Sequence, residues 1–392
     1  MVKSKAKIDS LMPIWIILFF IGDFLAKLSV FYFNNSFNRI GGVIKLLFLI
    51  YLLIYILKKF EAKIVLFIPL ILLTILVIGQ LSMGVQISDI ILGLNKGNLY
   101  YLVNLVFIFF FVGALEISDG KELNFKKAVI IFEKLLLFNG LLIILGFFLN
   151  VEFFKTYLFS ERWGFNGIFV KNGEMSYMYM ILISILYHRS ITRKENNIIK
   201  FVFLIVVSLL LGKKVMYLFF ALLLLFHLMF VHKKKKLFRP VLIAMFIMAA
   251  FYVEKISNWL ILKSSFWSAI YEKYGLLGTV TSTRSNLLSN SINHINEQWS
   301  GINYFFGGID YLDYRVEFEL VDIFLFLGIF GVLVYLLFLG VYFFEKGKNI
   351  KNSLLVIILT CSFFSGGLLF SVSCMTMLFI MSKELSVIKP VE

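Results

Sequence analysis

Cationic side chains set in or beside apolar stretches are the first residues in this chain that could do chemistry. Lys213 and Lys214 interrupt LLLGKKVMYLF. Placing a cation deep in hydrocarbon costs about 2.5–3.5 kcal/mol on insertion scales, so such residues face protein or water. Two adjacent ammonium groups at the ends of short helices would form an anion site. A charged turn whose lysines snorkel to the interface explains the same pair. Arg284, in GTVTSTRSNLLSNSINHINEQW, and Arg162, in SERWGFNGIFVKNGE, offer planar forks that match phosphate oxygens. For each, a solvated loop arginine is the plain alternative. Beside Arg162, the residues Trp163, Phe165, Asn166 and Gly167 would suit a sugar platform, and equally an interfacial aromatic belt.

Carboxylates cluster once. Glu317, Glu319 and Asp322 stand before and within DIFLFLGIFG, and Glu319 and Asp322, three apart, share a helix face. They could orient an acceptor hydroxyl, act as base or pair with a loop arginine; a polar helix start favoured by its dipole accounts for them too. Asp23 and Lys27, four apart in the first apolar stretch, are expected to pair and offset each other's burial. The four histidines, His188, His227, His232 and His294, show no metal-ligand spacing, and Cys361 and Cys374 both lie in apolar sequence, so neither a metal site nor an external disulfide framework is expected.

The elements that must position these residues are membrane helices. The chain is 60% hydrophobic and 16% charged, against roughly half and a quarter in soluble domains. Its net charge of +15 is spread in short runs between apolar stretches, which excludes a single nucleic-acid-binding face. A bilayer core needs about 20 apolar residues per helix. Candidate spans are 13–32, 40–57, 64–80, 99–116, 128–149, 174–188, 200–211, 215–231, 240–256, 319–344, 354–366 and 368–382. The pairs 200–211/215–231 and 354–366/368–382 are each one long helix or a broken hairpin, which hydropathy alone does not decide; for 354–382 the paired arrangement is preferred, since one helix would put Lys383 and Lys389 outside. With the N-terminus inside, the inner segments hold 23 lysines and arginines and the longer outer ones 12, the positive-inside pattern, which places both termini in the cytoplasm. The first span is expected to be retained, because no small-residue cleavage site follows it.

The expected layout is therefore a transmembrane bundle over 1–256 with outer loops near 81–98 and 150–173. A large outer loop follows over 257–318, then C-terminal helices with a short tail over 319–392. Long loops carry function more often than short ones, so chemistry is expected on the outer face. No cytoplasmic stretch is long enough for a nucleotide-binding domain, and there is no Gly-rich phosphate loop.

Several of these pieces stand in an order that resembles the bacterial O-antigen polymerase/ligase superfamily. NGIFVKNGEMSYMYM looks like that family's motif closing a middle outer loop. LLLGKKVMYLF is similar to its basic motif at the outer junction of two short helices, usually Ser-Arg and here Lys213-Lys214. TSTRSNLL followed by NYFFGGID resembles the large-loop pattern of an arginine, a helical stretch and a Gly-rich turn. EFELVDIFLFLGIFG is similar to the polar start of the next helix, and FFSGGLLFSVS to a broken C-terminal pair. The resemblance covers roughly 150–382; the shared order carries more weight than any one motif.

The resemblance implies a GT-C-like, all-α membrane glycosyltransferase with about 12 helices, in the bacterial cytoplasmic membrane. It would join glycan repeats on undecaprenyl pyrophosphate at the outer face, with inversion and with neither metal nor cofactor. Its partners would be the lipid-linked glycan donor and acceptor, membrane lipid and a chain-length regulator, with no nucleic acid. Arg284, Glu319 and Asp322 are expected to be catalytic. Arg162, Lys171, Lys213, Lys214 and Glu317 are expected to bind substrate, the basic residues holding the diphosphate leaving group. Ligases of the superfamily carry a His-Asn pair where this chain reads Glu317-Phe318-Glu319, which favours a polymerase. A lipid-linked oligosaccharide flippase is the rival from another class, though the halves show no repeat. A metal-dependent lipid-sugar transferase would want acidic residues in the first outer loop, where FNNSFNR has none.

Overall fold

A computed structural model describes residues 8–59, 61, 63–91, 96–118, 124–158, 162–193, 195–231, 240 and 265–387. The expected span over 240–256, except for Pro240, and the basic run Lys233–Lys236 with Arg239 lie outside the described residues. Helices dominate. The long ones are α1 (Ile8–Tyr32), α2 (Ile40–Lys59), α3 (Ile68–Ser82), α5 (Lys96–Ile117), α6 (Lys126–Leu149) and α7 (Asn172–Thr192), with a short α4 (Ile87–Ile91) after α3. Then come α8 (Ile198–Leu210) and α9 (Lys214–Phe226). The large loop is itself helical where described: α10 (Ser265–Val280), α11 (Arg284–Gln298), α12 (Gly301–Phe306) and α13 (Tyr311–Tyr314). The chain closes with α14 (Glu319–Tyr342), α15 (Asn349–Ser365) and α16 (Val372–Val387).

Among the described residues, seven helices are long and apolar enough to cross a membrane. Their outward faces are greasy: Leu57, Phe148 and Leu337 are 68%, 76% and 69% exposed. Water would penalise such surfaces, whereas lipid does not. The polarity is inverted relative to a soluble protein. The central helices α7 and α16 are less apolar than α2 or α9 yet far more buried. Several of the polar side chains they bury find partners within the bundle. Tyr177 donates to the Gly366 carbonyl at 2.7 Å, and Tyr179 to Leu136 at 3.1 Å. This is a multi-pass membrane protein.

Both ambiguous pairs are broken. Leu211 to Lys213 separate α8 from α9, and 366–371 separate α15 from α16, with Gly212, Gly366 and Gly367 at positive φ. A side chain at Gly212 would strike the Trp163 carbonyl, which explains why only glycine fits that break.

Contacts define two ends of the bundle. At one, Asp9 accepts from the Asn124 amide and Arg189 joins Glu384 at 3.0 Å. At the other lie the 150–171 loop, the large loop and the two helix breaks.

The expected Asp23–Lys27 pair does not form. Lys27 turns away and donates to the Gly167 carbonyl at 2.6 Å, to Asn166 Oδ1 and to the Lys155 carbonyl at 3.3 Å. Three oxygens of a folded loop satisfy the three ammonium protons better than one carboxylate, which the helical spacing alone could not reveal.

Candidate functional site

The 150–171 loop folds back on itself and is stitched to the α8–α9 break. Within the loop, the Thr156 amide donates to Gly164 O at 2.8 Å and the Asn166 amide to Phe154 O at 2.9 Å. Outward, the Phe165 amide donates to Leu210 O at 2.8 Å and Thr156 Oγ1 to Leu211 O at 3.1 Å. Gly164, at φ 146°, sits so close to Leu211 O that a side chain there would clash. Below, Lys27 and Asn139 pin the loop, Asn139 accepting from the Ile168 amide at 2.9 Å.

That stitching sets Arg162 beside Lys213 and Lys214. The Arg162 guanidinium carbon lies 4.0 Å from the Tyr157 ring centroid and 5.1 Å from that of Trp267 on α10. Lys213 Nζ is 5.0 Å from the same tyrosine ring, and Lys214 Nζ is 3.6 Å from Trp267 while donating to Thr279 O at 2.7 Å. Ring faces attract a cation without supplying a counter-charge.

Arg284 arrives from the large loop as the first residue of α11. It donates to Glu317 Oε2 at 3.1 Å, Ser365 O at 3.3 Å and Thr281 O at 3.4 Å. Its Nε is buried with no hydrogen-bond partner among the described residues, an arrangement that ordinarily costs about 1–3 kcal/mol. Arg162, Arg284, Lys213 and Glu317 all act on one another electrostatically. Burial, reinforced by Arg162 and Arg284, pushes the Lys213 ammonium down to about 7. Burial raises the Tyr157 phenol, with Arg162 and Arg284 opposing.

Of the expected carboxylates only Glu317 joins this group. It is in the left-handed region at φ 63°, with its other oxygen 3.7 Å from Arg315. Asp322 imposes that turn, accepting from the Val316 and Glu317 amides at 2.6 and 3.3 Å. Glu319 is 1% exposed and accepts from the Leu368 and Leu369 amides at 2.8 and 2.7 Å. Both carboxylates are spent on backbone and hold the turns around the site. Neither geometry favours the direct catalytic part expected of them.

Lys171 stands in a different group, 2.9 Å from Glu174, which also meets Lys45 at 3.4 Å. The expected sugar platform is divided as well: Trp163 is 49% exposed, but Phe165 and Asn166 are buried and structural. Sequence reasoning missed Tyr157 and Trp267 as site residues. Tyr157 stands five residues before Arg162 in the same loop, a readable signal; nothing local ties Trp267 to Lys214.

No group of three or more His, Cys, Asp or Glu side chains gathers as a metal site among the described residues. No protein-family model, curated protein or solved structure matches this chain.

Proposed function

We propose that this protein is a membrane glycosyltransferase that polymerises undecaprenyl-pyrophosphate-linked oligosaccharide repeats on the outer face of the cytoplasmic membrane. The observation that carries this reading is the meeting of Arg162, Lys213, Lys214 and Arg284, from three distant segments, around one carboxylate. An excess of positive charge held by aromatic rings suits a diphosphate, and aromatic faces also suit sugars. In this reading the chain crosses the membrane twelve times with both termini inside, the ninth span falling in 240–256.

The step is a displacement at the donor's anomeric carbon. The acceptor hydroxyl oxygen forms the new glycosidic bond as the bond to the diphosphate oxygen breaks, with inversion. The electron pair leaves with the diphosphate, whose growing charge Arg284, Arg162, Lys213 and Lys214 neutralise. Preorganised donors of this kind are worth about 10²–10³ each in rate. Glu317, the only expected carboxylate within the group, takes the acceptor's proton. The polymerase branch rests on Glu317-Phe318-Glu319 standing where a ligase has histidine and asparagine.

Reconstitution with purified lipid-pyrophosphate repeat and no nucleotide tests this. Ladders of longer lipid-linked chains are expected. Translocation without lengthening would mean a flippase, and transfer only to a lipopolysaccharide core would mean a ligase.

A further inference from the structure

The end of the bundle opposite the cationic site holds a cavity of about 970 Å³. Four cations line it: Lys126 at the start of α6, Arg193 after α7, Lys351 on α15 and Lys383 on α16. Two carboxylates line it as well, but both are engaged. Glu384 is 3.0 Å from Arg189, and Glu345 is 3.1 Å from Lys351, which also donates to Ser386 at 2.8 Å. Arg193 reaches Glu195 at 3.6 Å. Lys126 and Lys383 meet no carboxylate within ion-pair distance among the described residues, and Lys383 rests 5.0 Å from the Phe379 ring centroid. The cavity is therefore polar, roomy and positive.

Its wall is also aliphatic. Val341 and Val387 line it and are 71% and 66% exposed, and Leu337, one turn back along α14, is 69% exposed. A soluble phosphate would use only the cations. A molecule with an anionic head and a hydrocarbon chain uses both surfaces. Basic pockets between membrane helices hold lipid head groups by this combination.

We propose that this cavity binds the phosphate head group of an anionic glycerophospholipid, with an acyl chain laid along Val341 and Leu337. The site is separate from the diphosphate cluster and does not depend on the proposed transferase activity. Phosphatidylcholine carries the same phosphate, but its choline cancels the charge that Lys126 and Lys383 would meet.

The test uses the purified full chain in detergent, titrated with dioleoylphosphatidylglycerol or dioleoylphosphatidylcholine. Bound lipid is counted by native mass spectrometry and stability is followed by thermal unfolding. Phosphatidylglycerol should be retained and should raise the melting temperature; phosphatidylcholine should do neither. Each neutralised cation should weaken retention about five-fold, so the Lys126→Gln/Lys383→Gln double variant loses roughly 25-fold. Lys346→Gln, whose residue is exposed and outside the cavity lining, should retain lipid as the wild type does. Should the double variant fold poorly without lipid, each single variant still carries its five-fold loss. Equal retention of both lipids, or wild-type retention by the lipid-free-stable variants, would overturn the proposal. Inorganic phosphate that displaces phosphatidylglycerol supports phosphate as the recognised group. Inorganic phosphate that stabilises the protein while neither lipid does overturns the lipid assignment in favour of a soluble anion.

Discussion

Arg284 offers the sharpest separation of folding from chemistry, because its bonds to the protein are modest and its unsatisfied donor is not. In Arg284→Ala, folding loses the Glu317 ion pair and two long bonds to the Thr281 and Ser365 carbonyls. The Glu317 side chain is 41% exposed, so the ion pair contributes at most about 1 kcal/mol. The carbonyl bonds, at 3.3 and 3.4 Å, add about 1 kcal/mol each at most. Relieving the buried, unpaired Nε offsets part of that loss. The variant should therefore insert, purify as a single species and melt a few degrees lower. The rate should fall about 10²–10³-fold, the loss for one preorganised donor facing developing charge, or roughly 2.7–4 kcal/mol of barrier. Arg284→Lys keeps the charge without the planar fork and should retain about a tenth of the rate. Both are measured as ladder formation in proteoliposomes with the lipid-pyrophosphate repeat and no nucleotide, normalised to folded protein. An Arg284→Ala enzyme working within about three-fold of wild type would refute the diphosphate assignment.

Three further outcomes follow from the same geometry. Lys213, with its ammonium pushed down to about 7, is protonated below that pH and neutral above it. Donor affinity should fall as pH rises through 7, read as a rising KM between pH 6 and 8.5, and Lys213→Arg should flatten that rise. The linkage to folding has the opposite sign: the unfolded chain binds more protons at this site from about pH 7 to the ordinary lysine range, so this group's share of stability increases with pH there. Lys27→Met leaves the carbonyls of Lys155 and Gly167 and the Asn166 amide oxygen without their donor. It should destabilise the protein by about 1–3 kcal/mol and expose the loop to trypsin at Lys155 and Arg162; an unchanged digestion pattern would count against Lys27 pinning that loop. Glu319→Gln replaces one acceptor oxygen with a donor facing the Leu368 or Leu369 amide. Thermal unfolding should register a loss of about 1–3 kcal/mol, while per-molecule turnover of the folded fraction stays within a few-fold.

Hydrocarbon as solvent made much of this protein legible from its residues. Long apolar stretches and the scarcity of charge determine helices, since in lipid each backbone amide must be satisfied within its own segment. The same rule singled out Lys213 and Lys214, because a cation is expensive there unless something receives it. Hydropathy left two stretches open, and the folded chain breaks them at Gly212 and at Gly366–Gly367. Partner choice was a different matter. Helical spacing put Lys27 next to Asp23, but the ammonium found three oxygens on a loop more than a hundred residues away. Glu319 and Asp322 shared a face as expected, yet each carboxylate was claimed by backbone amides that no local pattern places beside it. Arg162, Lys213 and Arg284 were singled out one at a time; that they share a site depends on the loop, the helix break and the large loop meeting at one end. Sequence encodes what each side chain can tolerate, through solvation and helix geometry acting over a few residues. Which groups meet is set by packing among segments far apart in the chain, and only the folded bundle decides it.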